Sequence, residues 1–293
     1  MKRIALVVTG LLAASVPATH GQDVPVTATP LGGGVYMLTG QGGNLAVAVG
    51  DDATFVVDDQ YAPMVPRILA AIRELSPQPV RFVLNTHYHG DHTGGNEAMA
   101  EAGALIVAHD NTRRRMTTEQ FIEFFSARVP PSPEDALPVV TFSDTVTFHI
   151  NGDEVVAFHV DPAHTDGDAI IVWRNANVVH MGDIYIAGGY PFTDFTAGGN
   201  RNGIVAAADR VLAIANQSTR VIPGHGPLSN TAELRAWRDM IAVVRTRVTA
   251  LKAAGRTLEQ VVAAKPSAEF DATYGGGFIK ADDFVGFIYR SLP

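Results

Sequence analysis

Val80-Arg81-Phe82-Val83-Leu84-Asn85-Thr86-His87-Tyr88-His89-Gly90-Asp91-His92-Thr93-Gly94-Gly95-Asn96 runs from a short apolar stretch straight into three imidazoles and a carboxylate. Imidazole and carboxylate suit divalent first-row metals, and a loop leaving a strand can aim several of them at one point. Alternate residues of an extended stretch share a direction, so His87 and His89 can face one ion. Asp91 and His92 lie past the bend at Gly90, placed to hold a second. A core histidine normally stands alone with one hydrogen-bond partner. Four metal-capable side chains within six residues predict a metal site instead.

The same pattern, a strand and then a ligand, recurs downstream. His164 follows the strand-like run Glu154–Val160, Asp183 follows Val178–Met181, and His225 follows Arg220–Ile222. Loops at the C-terminal ends of strands are where open α/β sheets gather their sites. Neighbouring glycines let the backbone come close to an ion. Taken singly, His164 or His225 is as readily a loop hydrogen-bonder as a ligand, and Asp183 is more readily a turn former. Repetition across four loops raises them together.

Around these loops the chain alternates strand and helix signals. Val35–Leu38, Leu45–Val49 and Thr54–Val57 read as a glycine-punctuated meander, followed by a helix over Pro63–Leu75 closed by Ser76-Pro77. After the metal loop come a helix over Asn96–Ala102 and a strand over Ala104–Ala108. A second half begins near Val139, with strands at Val139–Phe142, Val146–Ile150 and Glu154–Val160, and a hairpin turn at Asn151-Gly152. Strands Ala169–Trp173 and Val178–Met181, a helix over Gly203–Ala215, the strand Arg220–Ile222 and a helix over Thr231–Leu251 complete it. The last helix has a capping-box pattern at Asn230-x-x-Glu233. Asp110–Leu137 reads as a connecting excursion with one amphipathic piece at Phe121, Phe124 and Phe125. The order predicts an α/β layered fold in a single domain over residues 22–293.

The N-terminus reads as a signal peptide over residues 1–21. Lys2 and Arg3 precede an apolar run too short to span a bilayer, and small residues offer cleavage after Ala18 or Gly21. A periplasmic or secreted location follows, with no membrane insertion after cleavage. Loss of Lys2 and Arg3 takes the formal charge from −8 to −10. Such a surface disfavours nucleic acid, and the one basic cluster, Arg113-Arg114-Arg115, reads as a solvated helix face. The absence of cysteine excludes disulfides and thiolate ligands. A small-molecule substrate is the expected partner, with the oligomeric state open.

Thr86-His87-Tyr88-His89-Gly90-Asp91-His92-Thr93-Gly94-Gly95-Asn96, with His164, Gly182-Asp183 and Pro223-Gly224-His225 in order behind it, resembles the signature of the metallo-β-lactamase superfamily. The resemblance runs from about Gly34 to Leu251. It implies an αββα sandwich: two mixed β-sheets face to face, helices outside, the site at one edge. It also implies that His87, His89 and His164 hold one metal, that Asp91, His92 and His225 hold another, and that Asp183 bridges them. Asp58 matches the aspartate that braces the metal loop. Similar di-zinc β-lactamases carry cysteine where this chain has Asp183, whereas aspartate there is similar to hydroxyacylglutathione hydrolases and lactonases.

The expected function is an exported dinuclear zinc hydrolase, with iron or manganese tolerated, in which a hydroxide shared by two metals attacks a carbonyl. Asp91 has a second expected role, orienting the nucleophile or carrying a proton. The substrate is a cyclic amide such as a β-lactam, or an ester or lactone. Alternatives are a thioesterase of hydroxyacylglutathione hydrolase type, a mononuclear iron sulfur-oxygenase of the same superfamily, and a non-catalytic metal binder. Gly40–Gly43 is short and lacks the apolar tip that grips β-lactams in the resistance enzymes. Tyr190, Phe192, Phe195 and Asn200, on the loop Gly188–Asn200, are candidates for the substrate wall, although aromatic packing beneath a long loop explains the rings more readily.

Overall fold

Strands buried on both faces set the architecture of the computed structural model, which describes residues 24–292. The expected signal peptide, residues 1–21, lies outside the described residues. Strands β1 (Thr27–Gly32), β2 (Val35–Thr39), β3 (Leu45–Ala48), β4 (Thr54–Val57), β5 (Val80–Leu84) and β6 (Leu105–His109) form the first sheet in that order. A separate hairpin of β7 (Gln120–Ile122) and β8 (Ala127–Val129) follows, and β9 (Val140–Phe142) then joins the first sheet beside β6. The second sheet runs β10 (Thr145–Ile150), β11 (Asp153–His159), β12 (Ala169–Trp173), β13 (Val178–His180), β14 (Arg220–Ile222) and β15 (Ser229–Asn230). Both sheets are mixed: β4, β5, β6 and β9 are parallel in one, and β13 and β14 in the other.

Alternation along the strands separates the layers. Phe55 and Val57 turn inward to meet Leu84, Ile171 and Trp173 between the sheets. Val47, Val56 and Val83 turn outward onto Ile68 and Ile72 of α1 (Val65–Leu75). The metal loop holds the single turn α2 (Gly90–Thr93), after which Met99 of α3 (Asn96–Glu101) joins the same outer layer. On the far side Val156, Ile170 and Val179 pack under helices α5 (Arg201–Ile214) and α6 (Thr231–Ala253). The result is the expected αββα sandwich. A strand covered on both faces has no polar alternation, which is why these runs read as continuously apolar.

Several sequence expectations change in the structure. Val139–Phe142 was expected to open the second half, yet β9 extends the first sheet, and the second begins at Thr145. The excursion contains α4 (Asp110–Met116) and the β7–β8 hairpin, with Phe124 and Phe125 in the turn at its tip. Of the three arginines only Arg114 is solvated. Arg115 is clamped by both carboxylate oxygens of Asp166 at 2.6 and 2.7 Å, and Arg113 donates to the Pro138 carbonyl at 2.6 Å. Asn151-Gly152 does turn the β10–β11 hairpin, with φ of 53° and 73°, the left-handed pair such a turn needs.

Helix α5 (Arg201–Ile214) starts two residues before the predicted Gly203 because Asn200 caps it, accepting from the Asn202 N–H. Helix α6 (Thr231–Ala253) buries Leu234, Trp237, Ile241, Val244 and Val248 as their spacing predicts. Side chains of this kind each contribute about 1.5–3 kcal/mol on burial. Asn230 caps it twice, but Glu233 accepts from Ser229 instead of closing the box. Beyond it, α7 (Leu258–Ala263), α8 (Asp271–Tyr274) and α9 (Ala281–Ser291) had no counterpart in the sequence reading. Val261, Phe284 and Ile288 join the outer core. Among the described residues no helix is long and apolar enough to cross a membrane.

Candidate metal centre

Strand direction brings the ligand loops together. β4 and β5 are parallel, so Asp58 and the metal loop leave the first sheet at one edge. β11, β13 and β14 likewise point one way, which sends His164, Asp183 and His225 to that edge of the second sheet. The sheets are tied there by Asn44 N–H to Gly224 carbonyl at 2.7 Å and Ala169 N–H to Thr86 carbonyl at 2.8 Å.

All seven residues that the sequence singled out as ligands meet at this edge. Ring nitrogens of His87, His89 and His164 converge, with His87 Nε2 and His164 Nε2 lying 3.1 and 2.9 Å from His89 Nδ1. Asp91, His92 and His225 form an adjacent group, with His225 Nε2 3.1 Å from Asp91 Oδ2. Asp183 lies between. Its Oδ1 is 3.1 Å from His92 Nε2 and 3.4 Å from His225 Nε2, and its Oδ2 is 3.8 Å from His164 Nε2.

What each imidazole does with its other nitrogen is equally informative. His87 Nδ1 meets Thr86 Oγ1 at 3.0 Å, and His92 Nδ1 meets Asp58 Oδ2 at 2.7 Å. His89 Nε2 meets Asp194 Oδ2 at 3.1 Å, and His164 Nδ1 faces the Phe192 carbonyl at 3.3 Å. Carboxylates and carbonyls only accept, and the Thr86 hydroxyl already gives its proton to Asp58 Oδ2 at 2.8 Å. These four rings therefore carry their protons outward and turn a lone pair inward. Such outer bonding is the arrangement that fixes metal-binding histidines.

Inside the cluster, His92 Nε2 and Asp183 Oδ1 are buried without a hydrogen-bond partner. Buried polar atoms are rarely left so, and a cation between them satisfies both. The donor set, nitrogen and carboxylate oxygen without sulfur, fits zinc, iron or manganese.

Electrostatics divide the rings. Burial opposes protonation of His92, but Asp183, Asp91 and Asp58 outweigh it and raise it well above the usual imidazole range. Asp183 lifts His225 to about 10, and a bound cation would replace the positive charge on these two rings. Burial, with the neighbouring rings of His92, His164 and His89, holds His87 well below the usual imidazole range, and burial brings His164 to about 4. Both are neutral, the form that binds metal. Burial opposes ionisation of Asp183, but His225 and His92 outweigh it and hold the carboxylate well below its usual range. Burial likewise works against Asp91, and His92 and His225 bring it to about 2.

Supporting residues split into those the sequence offered and those it did not. Asp58 accepts from Thr86 N–H at 2.7 Å as well as from Thr86 Oγ1 and His92, and its φ of 61° is one that aspartate tolerates. Asp194 and Asp168 were not anticipated. Asp194 accepts from His89, from Tyr88 Oη at 2.7 Å and from Thr196 Oγ1 at 2.5 Å. Asp168 binds the backbone N–H of His164 and Thr165 at 2.6 and 2.9 Å. Signals existed in Asp194-x-Thr196 and Thr165-x-x-Asp168, short polar spacings that close loops on themselves.

Gly224 shows how tightly the loops fit, since a Cβ there would lie 2.0 Å from Asp183 Oδ1. Gly224→Ala is expected to push Asp183 aside and cost about 10–100-fold in metal affinity. Competition with a chromophoric chelator measures this, and wild-type affinity would refute the contact.

A cavity of about 470 Å³ opens onto the cluster, with Asp91, Asp183, His89 and His225 on its floor. Phe192 lines it. Tyr190 does too, although its ring stacks on Phe284 and its hydroxyl donates to Asp271 at 2.6 Å. Phe195 and Asn200 lie outside this lining. Asn200 caps α5, and Phe195 packs against Phe287 and Arg290.

The metallo-β-lactamase superfamily profile matches residues 38–232. Among curated proteins, one named Probable metallo-hydrolase YqgX from Bacillus subtilis is 26% identical over 193 residues, covering 60% of this chain and 85% of that protein. A hydroxyacylglutathione hydrolase from Nitrosococcus oceani is 28% identical over 151 residues, covering 50% of this chain and 49% of that protein. Among solved structures, a metallo-β-lactamase from Pontibacter korlensis superposes with a TM-score of 0.59 at 19% identity, covering 73% of this chain and 99% of that one. The sec-alkylsulfatase Pisa1 from Pseudomonas sp. gives 0.69 at 17% identity, over 90% of this chain and 50% of that one. At these identities the structural likeness speaks for the fold alone.

Proposed function

This chain belongs to the metallo-β-lactamase superfamily, and from that premise we propose that it is an exported dinuclear metallohydrolase that cleaves an ester or cyclic amide. The observation that carries the reading is the set of four imidazoles with outward protons and inward lone pairs, beside an open cavity. His87, His89 and His164 would hold one ion and Asp91, His92 and His225 the other, with Asp183 shared. Zinc is assigned first, and iron or manganese suits the same donors. When bound, such ions make water nucleophilic near neutral pH and polarise a carbonyl.

The chain's own residues supply the rest. Asp91, ionised and facing the cavity, orients the attacking water by accepting its hydrogen bond and passes a proton towards the leaving group. Asp183 keeps its charge on the floor and offsets positive charge there. Phe192, over His89 and His164, excludes bulk water from that side. Export rests on the basic and apolar N-terminus, residues 1–21.

A second reading, thioester hydrolysis, is favoured by the relatives named hydroxyacylglutathione hydrolase. The test is metal analysis of the purified mature protein, followed by turnover of a lactone, an ester, a chromogenic β-lactam and a thioester. About two transition-metal ions per chain and hydrolysis that chelator abolishes and Zn²⁺ restores are expected. Full activity with less than one ion per chain would overturn the dinuclear reading. Turnover of the thioester alone would select the second.

A further inference from the structure

The cavity above the metal cluster has an uneven lining. Its floor is polar, but its upper wall is made by Ile122 and Phe125 of the β7–β8 hairpin, Phe278 and Ile279 of the loop before α9, and Ile186. Among the described residues no lysine or arginine lines it. Charged groups nearby are engaged elsewhere. Arg290, which reaches the hairpin, donates to Glu123 at 2.7 Å, and Lys280 turns its ammonium to the Gly277 carbonyl at 2.8 Å.

The wall is a built structure from two distant parts of the chain. Phe125 stacks on Phe278 with centroids 5.4 Å apart, and Phe124 packs edge-on to Phe278 and tilted against Phe192. Phe125 and Phe278 nevertheless stay 47% and 64% exposed, so a broad aromatic surface stands open at the mouth. Exposed rings of this size, continuous with a cavity, favour an apolar ligand. A second anionic group on the ligand would meet no lysine or arginine in this lining, where Tyr61 offers only a neutral hydroxyl, and desolvation would oppose it.

We propose that the hairpin and the Phe278 loop form a subsite for an uncharged alkyl or aryl group. The substrate is then a neutral apolar ester or lactone whose carbonyl lies at the metal cluster, an assignment that rests on the hydrolase reading above. Substrates with a carboxylate remote from the scissile bond, β-lactams and glutathione thioesters among them, are disfavoured by the same wall. Apolar grip comes from β7–β8 and the C-terminal loop, while no residue of Gly40–Gly43 lines the cavity.

Two ligands that no hydrolase can cleave isolate the subsite from the chemistry. Octan-2-one and the keto acid 7-oxooctane-1-sulfonate share their carbon chain and carbonyl position and differ by a terminal sulfonate, an anion that coordinates metal far more weakly than a carboxylate. Titrated calorimetrically into the metal-loaded protein, the ketone is expected to bind roughly tenfold tighter or more, given about fourfold per methylene buried. Phe278→Ala and Ile122→Ala should each weaken the ketone about fivefold and shrink its advantage over the keto acid. Equal or tighter binding of the keto acid would overturn the subsite, as would ketone affinity that ignores both substitutions, or no binding of either ligand. A protein that binds the ketone as expected but hydrolyses no ester, lactone, amide or thioester would keep the subsite and lose the hydrolase reading.

Discussion

Asp183→Ala is expected to lower turnover by roughly a thousandfold and to remove at least one of the two metal ions, a loss of about 4 kcal/mol of transition-state stabilisation. The Asp183 carboxylate faces both ligand groups, with Oδ1 towards His92 and His225 and Oδ2 towards His164. Gly182 places it with a φ of 51°, and Gly224 leaves it room. Without the carboxylate, two cations would face one another across five imidazoles and Asp91 alone. Asp183→Asn separates charge from shape. It keeps the side-chain volume, removes the charge and turns an amide donor towards the metals, so it should resemble alanine in metal content and rate. Metal analysis with single-turnover kinetics reads both. An asparagine variant that keeps two ions and wild-type turnover would refute the shared-carboxylate role, and unchanged far-UV circular dichroism would show that the fold survives.

The parts of this site that were legible in the sequence are those in which local chemistry concentrates. Four ligands within six residues need no partner to be noticed, and strands buried on both faces announce themselves as apolar runs. Asp58 was legible because it ends such a run. Asp194 was not, because its bond to His89 spans 105 residues and its own neighbours are aromatic. The hairpin escaped for a different reason. Strands of three residues are too short for period-two alternation, and Phe121, Phe124 and Phe125 mimic a helical face, whereas Phe124 and Phe125 meet Phe278 more than 150 positions away. Asn200 carried a legible N-cap signal. The predicted helix start at Gly203 left it free for another role, when a cap two residues upstream accounts for it fully. The floor of the cavity and two residues of its lining, Tyr190 and Phe192, were thus legible, whereas the β7–β8 hairpin and the Phe278 loop emerge only in the folded chain.

Asp58→Asn is expected to weaken both metal positions together, by about 10–100-fold each. One carboxylate orients two ligands. It accepts from His92 directly, and from the Thr86 hydroxyl, which in turn receives the proton of His87. It also holds the metal loop through the Thr86 N–H. An amide cannot serve all three donors. With its NH₂ towards Thr86 Oγ1 and His92, both rings must move their protons to Nε2, and the lone pairs aimed at the metals are lost. With its NH₂ towards the Thr86 backbone, two donors face each other in a buried site, at a cost of about 1–3 kcal/mol. Chelator competition should therefore show both steps shifted in Asp58→Asn, whereas His225→Ala should shift one. Asp58 lies against the loop and not in the cavity, so the apolar subsite should still prefer octan-2-one over 7-oxooctane-1-sulfonate once metal is restored in excess. Wild-type affinity at both positions in Asp58→Asn would mean that the shape of this residue suffices and its charge orients nothing.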